Sequence, residues 1–289
     1  MSIREPAVSG MFYAGDATSL QKQVESCFTA PGGPGKLPQV APVRQGTVLG
    51  LVSPHAGFLY SGSVAACAYN RLAEDGLSKT VVIIGPSHRS SYPQAALTNE
   101  DAWRTPLGDV AVDVELSEKI AASSPMADIY TPAHHAEHSL EVQLPFLQYL
   151  TQLAKSDIKI VPIVIGGSAY LHSLDFALEM GNCIAMAVQD QNAVIIASSD
   201  FTHYESGKSA LEKDSMALSA ILALDEEALL SRVEELNITM CGALPIAVTM
   251  VTCKKLGARV AKTLAYRNSG DVTGDYSEVV GYAAVEIDR

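Results

Sequence analysis

Charge is scarce in this chain of 289 residues, and positive charge is scarcest. Lys and Arg total 20 against 32 Asp and Glu, charged residues make up 18%, and the net charge is −12. Nucleic acids and anionic membranes select clustered Lys and Arg, so neither is expected as a partner. No run approaches the roughly 20 apolar residues of a membrane span. The N-terminal stretch MSIREPAVSGMFYAG has no apolar core long enough for a signal peptide. The five cysteines, Cys27, Cys67, Cys183, Cys241 and Cys253, form no CxxC pair. An odd, scattered set predicts reduced thiols and a cytoplasmic home. Heptads, internal repeats and low-complexity tracts are absent. So is a G-x-S-x-G elbow, the usual seat of a hydrolase serine, although Ser199, Asp200 and His203 lie close together.

What is abundant is apolar surface: 48% of residues are hydrophobic, enough for a large core. After an irregular start, Asp16 or Thr18 is expected to cap a helix over residues 19–28. The Pro/Gly-rich stretch 30–42 is too near the N-terminus to end a domain and reads as a loop. Strands and helices then alternate. Strands are predicted at 47–52, 80–84, 159–165 and 193–197, and helices at 62–73, 114–123, 140–150, 173–189, 209–223, 226–235 and 244–256. Residues 94–99 and 108–113 read as another pair of strands, and 259–266 with 279–287 as closing, antiparallel neighbours. The expectation is one α/β domain over residues 1–289, with a mostly parallel, mixed central sheet and helices on both faces.

Ligands of open α/β sheets bind beyond the carboxyl ends of the strands. Here VLGLVS leads to His55, VVIIGPS to His88, and AVIIAS to Asp200 and His203. After Ile165 come Gly166 and Gly167, small enough to let another group approach. A single histidine after a strand is usually an ordinary loop residue. Three histidines and a carboxylate on one sheet edge suit a divalent transition metal or proton transfer near neutrality. Pro54 and Pro86 would stiffen the loops that aim two of the imidazoles.

Other features are less pointed. HHAEH, residues 134–138, fits the H-x-x-E-H pattern, but that motif acts only on a helix and here precedes one. Glu137 and His138 are instead expected at the first turn of helix 140–150, within reach of the crevice behind the metal ligands. Cys241 stands just ahead of a helix, where the partial positive charge favours thiolate, a ligand for iron, copper or zinc; a small buried thiol is the plainer reading. Cys67 and Cys253 read as core. The segment 60–63, YSGS, could hold an anion on free amides, or Ser61 could cap the helix.

Taken in order, SPHAGFLYSGSVAACAY, IIGPSH, WRTPLGDV, EHSLEVQLPFLQ, VPIVIG, SSDFTHY and CGALPI resemble the Memo family, called AmmeMemoRadiSam system protein B in bacteria and archaea. The resemblance runs from AVSGMFYAGD to YAAVEI. It implies the fold of class III extradiol dioxygenase catalytic subunits, which hold non-haem iron with two histidines and a glutamate. Carried over by motif, His55 and His88 are the histidines, Cys241 takes the glutamate position, and His203, with Asp200 beside it, matches the proton-handling histidine. The implied cofactor is iron, with copper or zinc as alternatives. The thiolate puts catechol cleavage itself in doubt. The resemblance also implies a small-molecule or phosphopeptide ligand in the same crevice. Phe12 and Tyr13 stand near the aromatic that the animal peptide pocket uses, and Tyr60, Glu137 and His138 are further ligand-binding candidates. A pathway shared with AMMECR1-type and radical SAM proteins is implied as well. Two classes of function therefore stand open: a metal-dependent oxidoreductase and a non-catalytic binding module. A hydrolase is a third.

Overall fold

β-Branched residues and alanines are frequent in the central strands of this chain, and nearly every residue of those strands is buried. A computed structural model describes residues 2–166 and 173–289. Gly167 lies outside them. The strands are Ile3–Arg4 (β1), Val48–Ser53 (β2), Thr80–Pro86 (β3), Ala95–Leu97 (β4), Ala102–Thr105 (β5), Gly108–Val112 (β6), Ala127–Ile129 (β7), Lys159–Ile165 (β8), Ala193–Ser198 (β9), His203–Glu205 (β10), Val260–Asn268 (β11) and Val279–Asp288 (β12). The helices are Ala17–Thr29 (α1), Phe58–Asp75 (α2), Val114–Ser123 (α3), Leu144–Ala154 (α4), Leu174–Val188 (α5), Gly207–Leu222 (α6), Glu226–Glu235 (α7), Ala243–Lys255 (α8) and Gly270–Thr273 (α9).

These strands form one mixed sheet of 12, in the order β1-β5-β6-β8-β3-β9-β2-β12-β10, with β11 on β12 and β4 bridging β7 and β8. Its centre, β6-β8-β3-β9-β2, is wholly parallel. The closing strands β11 and β12 are antiparallel, as expected. The two strands expected at 94–99 and 108–113 are present as β4 and β6, though they do not pair with each other. Strand β4 joins β7 and β8, and β6 joins β5 and β8, because each satisfies its backbone against a nearer partner.

Alternation along the central strands divides the core in two. Val82 and Ile84 of β3, with Ile195 and Ala197 of β9, join the core that includes α5 and α8; Val81, Ile83, Val194 and Ile196 join the one that includes α1, α2 and α4. Helices thus cover both faces, which is what fully buried parallel strands require. None of the described helices is long and apolar enough to cross a membrane.

Helix ends differ from expectation in informative ways. Asp16 caps α1 by accepting from the Ser19 amide. Ser61 does not cap α2: the helix starts at Phe58, the Ser61 amide is already bonded to Gly57, and its hydroxyl donates to the Ala56 carbonyl. The same early start pairs the amides proposed to hold an anion at 60–63. The helix expected at 140–150 is a 3-10 turn at Glu141–Gln143 followed by α4 from Leu144, so Glu137 and His138 sit in the turn before it. Cys253 is core; Cys67 is only half-buried.

Candidate metal centre

Strands β2, β9, β3 and β8 are consecutive and parallel, so their carboxyl ends form one edge, and two of the histidines predicted there, His55 and His88, converge with Cys241. The ligand atoms of His55, His88 and Cys241 all lie within 4.8 Å of one another. Cys241 Sγ is 3.2 Å from His55 Nε2. The His55 and His88 rings meet nearly edge to face, with centroids 5.3 Å apart. His55 is buried, Cys241 half-buried and His88 exposed, which leaves one open side.

Hydrogen bonding dictates which nitrogen each imidazole offers. Ser198 Oγ lies 2.6 Å from the Ser139 carbonyl and 2.8 Å from Gln143 Nε2. A carbonyl only accepts, so the Ser198 proton goes to Ser139. Gln143 must present its NH2 here, since the same nitrogen faces the Pro54 carbonyl while its oxygen accepts from the Tyr69 hydroxyl. Ser198 Oγ, at 2.9 Å from His55 Nδ1, is therefore an acceptor, Nδ1 carries the proton, and His55 Nε2 is bare. For His88 the assignment is shorter: Nδ1 faces Glu137 Oε1 at 2.9 Å, a carboxylate accepts, and Nε2 is left bare. Buried acceptors behind metal-facing imidazoles are the usual means of fixing ligand tautomer and orientation.

Glu137 is wholly buried and its oxygens are filled. Oε1 takes the amides of His138 and Ser139 as well as His88 Nδ1, and Oε2 takes the His88 amide. Burial would raise this carboxyl, but the bonds from His88 and Ser139 outweigh it and bring it down to about 2. His88, Glu137 and His138 also lie close enough to form a second candidate cluster. The four donors already on Glu137 make that group a hydrogen-bonded brace, and His55, His88 and Cys241 the set that fits a metal.

The donor set also fits electrostatically. Burial, with the neighbouring charges of His88 and His138, holds His55 well below its usual value, so it is neutral at pH 7. Burial and the Asp200 carboxylate push the Cys241 thiol up, so its proton leaves only when a cation takes its place. Two neutral imidazoles and one thiolate form a soft N2S set suited to iron, copper or zinc. Gly242 makes the approach of Cys241 feasible: a Cβ there would lie 2.4 Å from the Ser199 side chain. Gly166 also permits a close approach, but of the chain itself, since a Cβ would meet the Tyr92 carbonyl at 2.4 Å.

A model of the Memo-like protein family matches residues 4–286. The chain belongs to the Memo family. It is 44% identical to a MEMO1 family protein of Methanopyrus kandleri over 99% of both chains. A relative from Methanothermobacter thermautotrophicus is 42% identical, over 97% of this chain and 99% of its own. One from Ignicoccus hospitalis is 44% identical over 99% of both.

In this Memo family chain the remaining candidates part company. Asp200 does not hydrogen-bond the His203 ring; its Oδ1 accepts from the amides of His55 and Ala56, and so clamps the loop that carries His55. Burial raises this carboxyl to about 6 against the pull of those amides. His203 Nδ1 faces the Thr239 carbonyl at 2.8 Å and its amide donates to Thr239 Oγ1, which leaves Nε2 bare. His138 stacks on His88 with centroids 4.5 Å apart, and Phe12 packs on its other side at 4.8 Å. Tyr13, expected beside a ligand, is instead part of the core: it is 2% exposed, its hydroxyl donates to Glu141 Oε1, and its ring packs with Phe58. Tyr60 is exposed but lines a hollow with Arg267 and Asp271 that neither His88 nor Cys241 reaches. The Ser199 hydroxyl, the hydrolase candidate, is spent on the Asp200 carbonyl.

Ser198, Gln143, Tyr69 and Thr239 escaped sequence reasoning. The available signal was a serine closing an otherwise apolar strand and a glutamine embedded in the apolar run LEVQLPF.

Proposed function

We propose that this chain is a metal-dependent oxidoreductase acting on a small substrate, with His55 Nε2, His88 Nε2 and Cys241 Sγ holding one transition-metal ion, iron before copper or zinc. The observation that carries the reading is the 4.8 Å convergence of three ligand atoms from distant segments, each histidine with its other nitrogen already engaged. When bound, iron or copper would supply one-electron exchange, which zinc would not.

The chain's own groups prepare the rest. Ser198 and Glu137 hold the two ligand rings. Asp200 fixes the His55 loop through its backbone amides. His203, oriented by Thr239, keeps Nε2 free to accept a proton from a bound molecule. The exposed side of His88 leaves the approach open to substrate.

Metal analysis tests this. Protein prepared without chelator, or supplied with ferrous iron under nitrogen, should bind one ion per chain, and Cys241→Ala or His88→Ala should bind none. If the wild type takes up no transition metal under either condition, the reading fails.

A further inference from the structure

We propose that the crevice opening onto His88 and Cys241 receives a neutral, largely apolar small molecule, and excludes phosphate- and carboxylate-bearing ones. This deepens the function proposed above and rests on it for what happens at the metal end. The affinity claim concerns the walls alone.

The crevice encloses about 650 Å³ and is lined by both His88 and Cys241. That volume falls in the range of sites for drug-sized ligands. Its walls come from separate elements: Ile165 at the end of β8, Val233 on α7, Ile238 and Met240 in the following loop, and Leu244 on α8. The polar part of the lining, apart from His88 and Cys241, is serine and threonine hydroxyl and backbone. Among the described residues no Asp, Glu, Lys or Arg lines it. The basic residue next in sequence to a ligand, Arg89, is exposed and not part of the lining.

Phosphate and carboxylate groups are bound by forked guanidinium, ammonium or clusters of free amides, which replace their lost hydration. These walls offer no cation, and they cannot compensate an anion for leaving water. They do reward an apolar body, and the hydroxyl lining can orient a single hydroxyl or carbonyl. A second hollow, about 1130 Å³ at the opposite pole and lined by Arg44, Lys79, Lys159 and Asp157, shows the contrast: charged side chains line it, and none of the candidate ligands does.

The probes are 2-naphthol and 2-naphthyl phosphate, which share one ring system and differ in charge. Binding is followed by naphthyl fluorescence in chelator-treated protein, so it does not depend on metal uptake. The expected result is saturable binding of 2-naphthol at ~1 mM or below, and at least ~tenfold weaker binding of the phosphate. Met240→Lys replaces one unbranched wall side chain with a charged one of similar length; it should weaken 2-naphthol and strengthen the phosphate, while Met240→Leu leaves the preference intact. Circular dichroism checks that both variants fold. Equal or tighter binding of the phosphate, binding of neither probe, or 2-naphthol binding unchanged by Met240→Lys would overturn the proposal. Loss of metal uptake with the neutral preference retained would instead count against the function proposed above.

Discussion

Buried polar groups gather at both ends of the central strands, and the two ends use them in opposite ways. At the amino ends Asp75 accepts from the Gly46 and Thr47 amides and the Thr47 hydroxyl, with the Arg44 guanidinium 3.5 Å away. Arg44 gives its other protons to Ser78 and to the carbonyls of Val48 and Ala193. Apart from Arg44 Nε, which faces Asp75 as an ion pair without a hydrogen bond, these groups find their partners among one another. At the carboxyl ends each histidine is held through Nδ1 by one oxygen acceptor: His55 by Ser198, His88 by Glu137, His203 by Thr239. Among the described residues the other nitrogens of His88 and His203 take no partner, and His55 Nε2 meets only the Cys241 thiol, itself a member of the candidate ligand set. Polar groups that neutralise one another mark a structural cluster, and lone pairs that converge on one point mark a site.

The comparison can be broken most forcefully at Asp75 and Cys241. Asp75→Ala strands Arg44 and should cost about 3–5 kcal/mol, read as a lower urea midpoint, while the folded fraction still binds one metal. Cys241→Ala should do the reverse: no metal bound, with stability changed by about 1 kcal/mol or less. If both variants lost both properties together, the two ends would not be separable. Next in size is Glu137→Gln, which keeps the shape but withdraws the carboxylate behind His88. Metal affinity should fall about 10–100-fold at unchanged stoichiometry in a competition titration. Wild-type affinity would reduce Glu137 to a fold brace.

Ser198→Ala is a finer cut. It removes the acceptor that holds the proton on His55 Nδ1, and should weaken metal binding by about tenfold. Nitrogen-15 spectra of the metal-free protein should show His55 with Nδ1 protonated in the wild type and a mixture of tautomers in the variant. The smallest effect concerns acid stability at neither end. His134 is buried, and desolvation together with the Arg4 guanidinium lowers it to about 3. Its unfolded value is the higher one, near 6.5, so below pH 6.5 the unfolded chain binds the extra proton. The stability it contributes is complete above that pH and is lost as pH falls toward 3. His134→Phe should therefore flatten the fall of Tm between pH 6.5 and 4; parallel curves for both proteins would contradict this.

Much of this was legible in the amino-acid pattern because parallel strands are conspicuous. The runs before His55, His88 and Asp200 are apolar on both faces, and adjacency of β2, β9 and β3 then forces their loops together. The sequence marks Cys241 as a possible thiolate, but only the family resemblance joins it to His55 and His88, because its place depends on α8 packing back on the sheet and on Gly242 lying against Ser199. The short strands β1, β5, β7 and β10 left no periodic trace in two to four residues. Tyr13 illustrates the opposite error. An aromatic near the N-terminus looked available for ligand, yet the fate of its hydroxyl was set by Glu141, 128 residues away. The relay Tyr69–Gln143–Ser198–His55 was invisible for the same reason, since it joins four separate segments and has no local motif.

Iron-edge X-ray absorption on the ferrous-loaded protein tests the central claim most directly. The account predicts one sulfur and two imidazole nitrogens around each ion, with the sulfur scatterer gone in Cys241→Ser. A shell of oxygen and nitrogen alone in the wild type would contradict it.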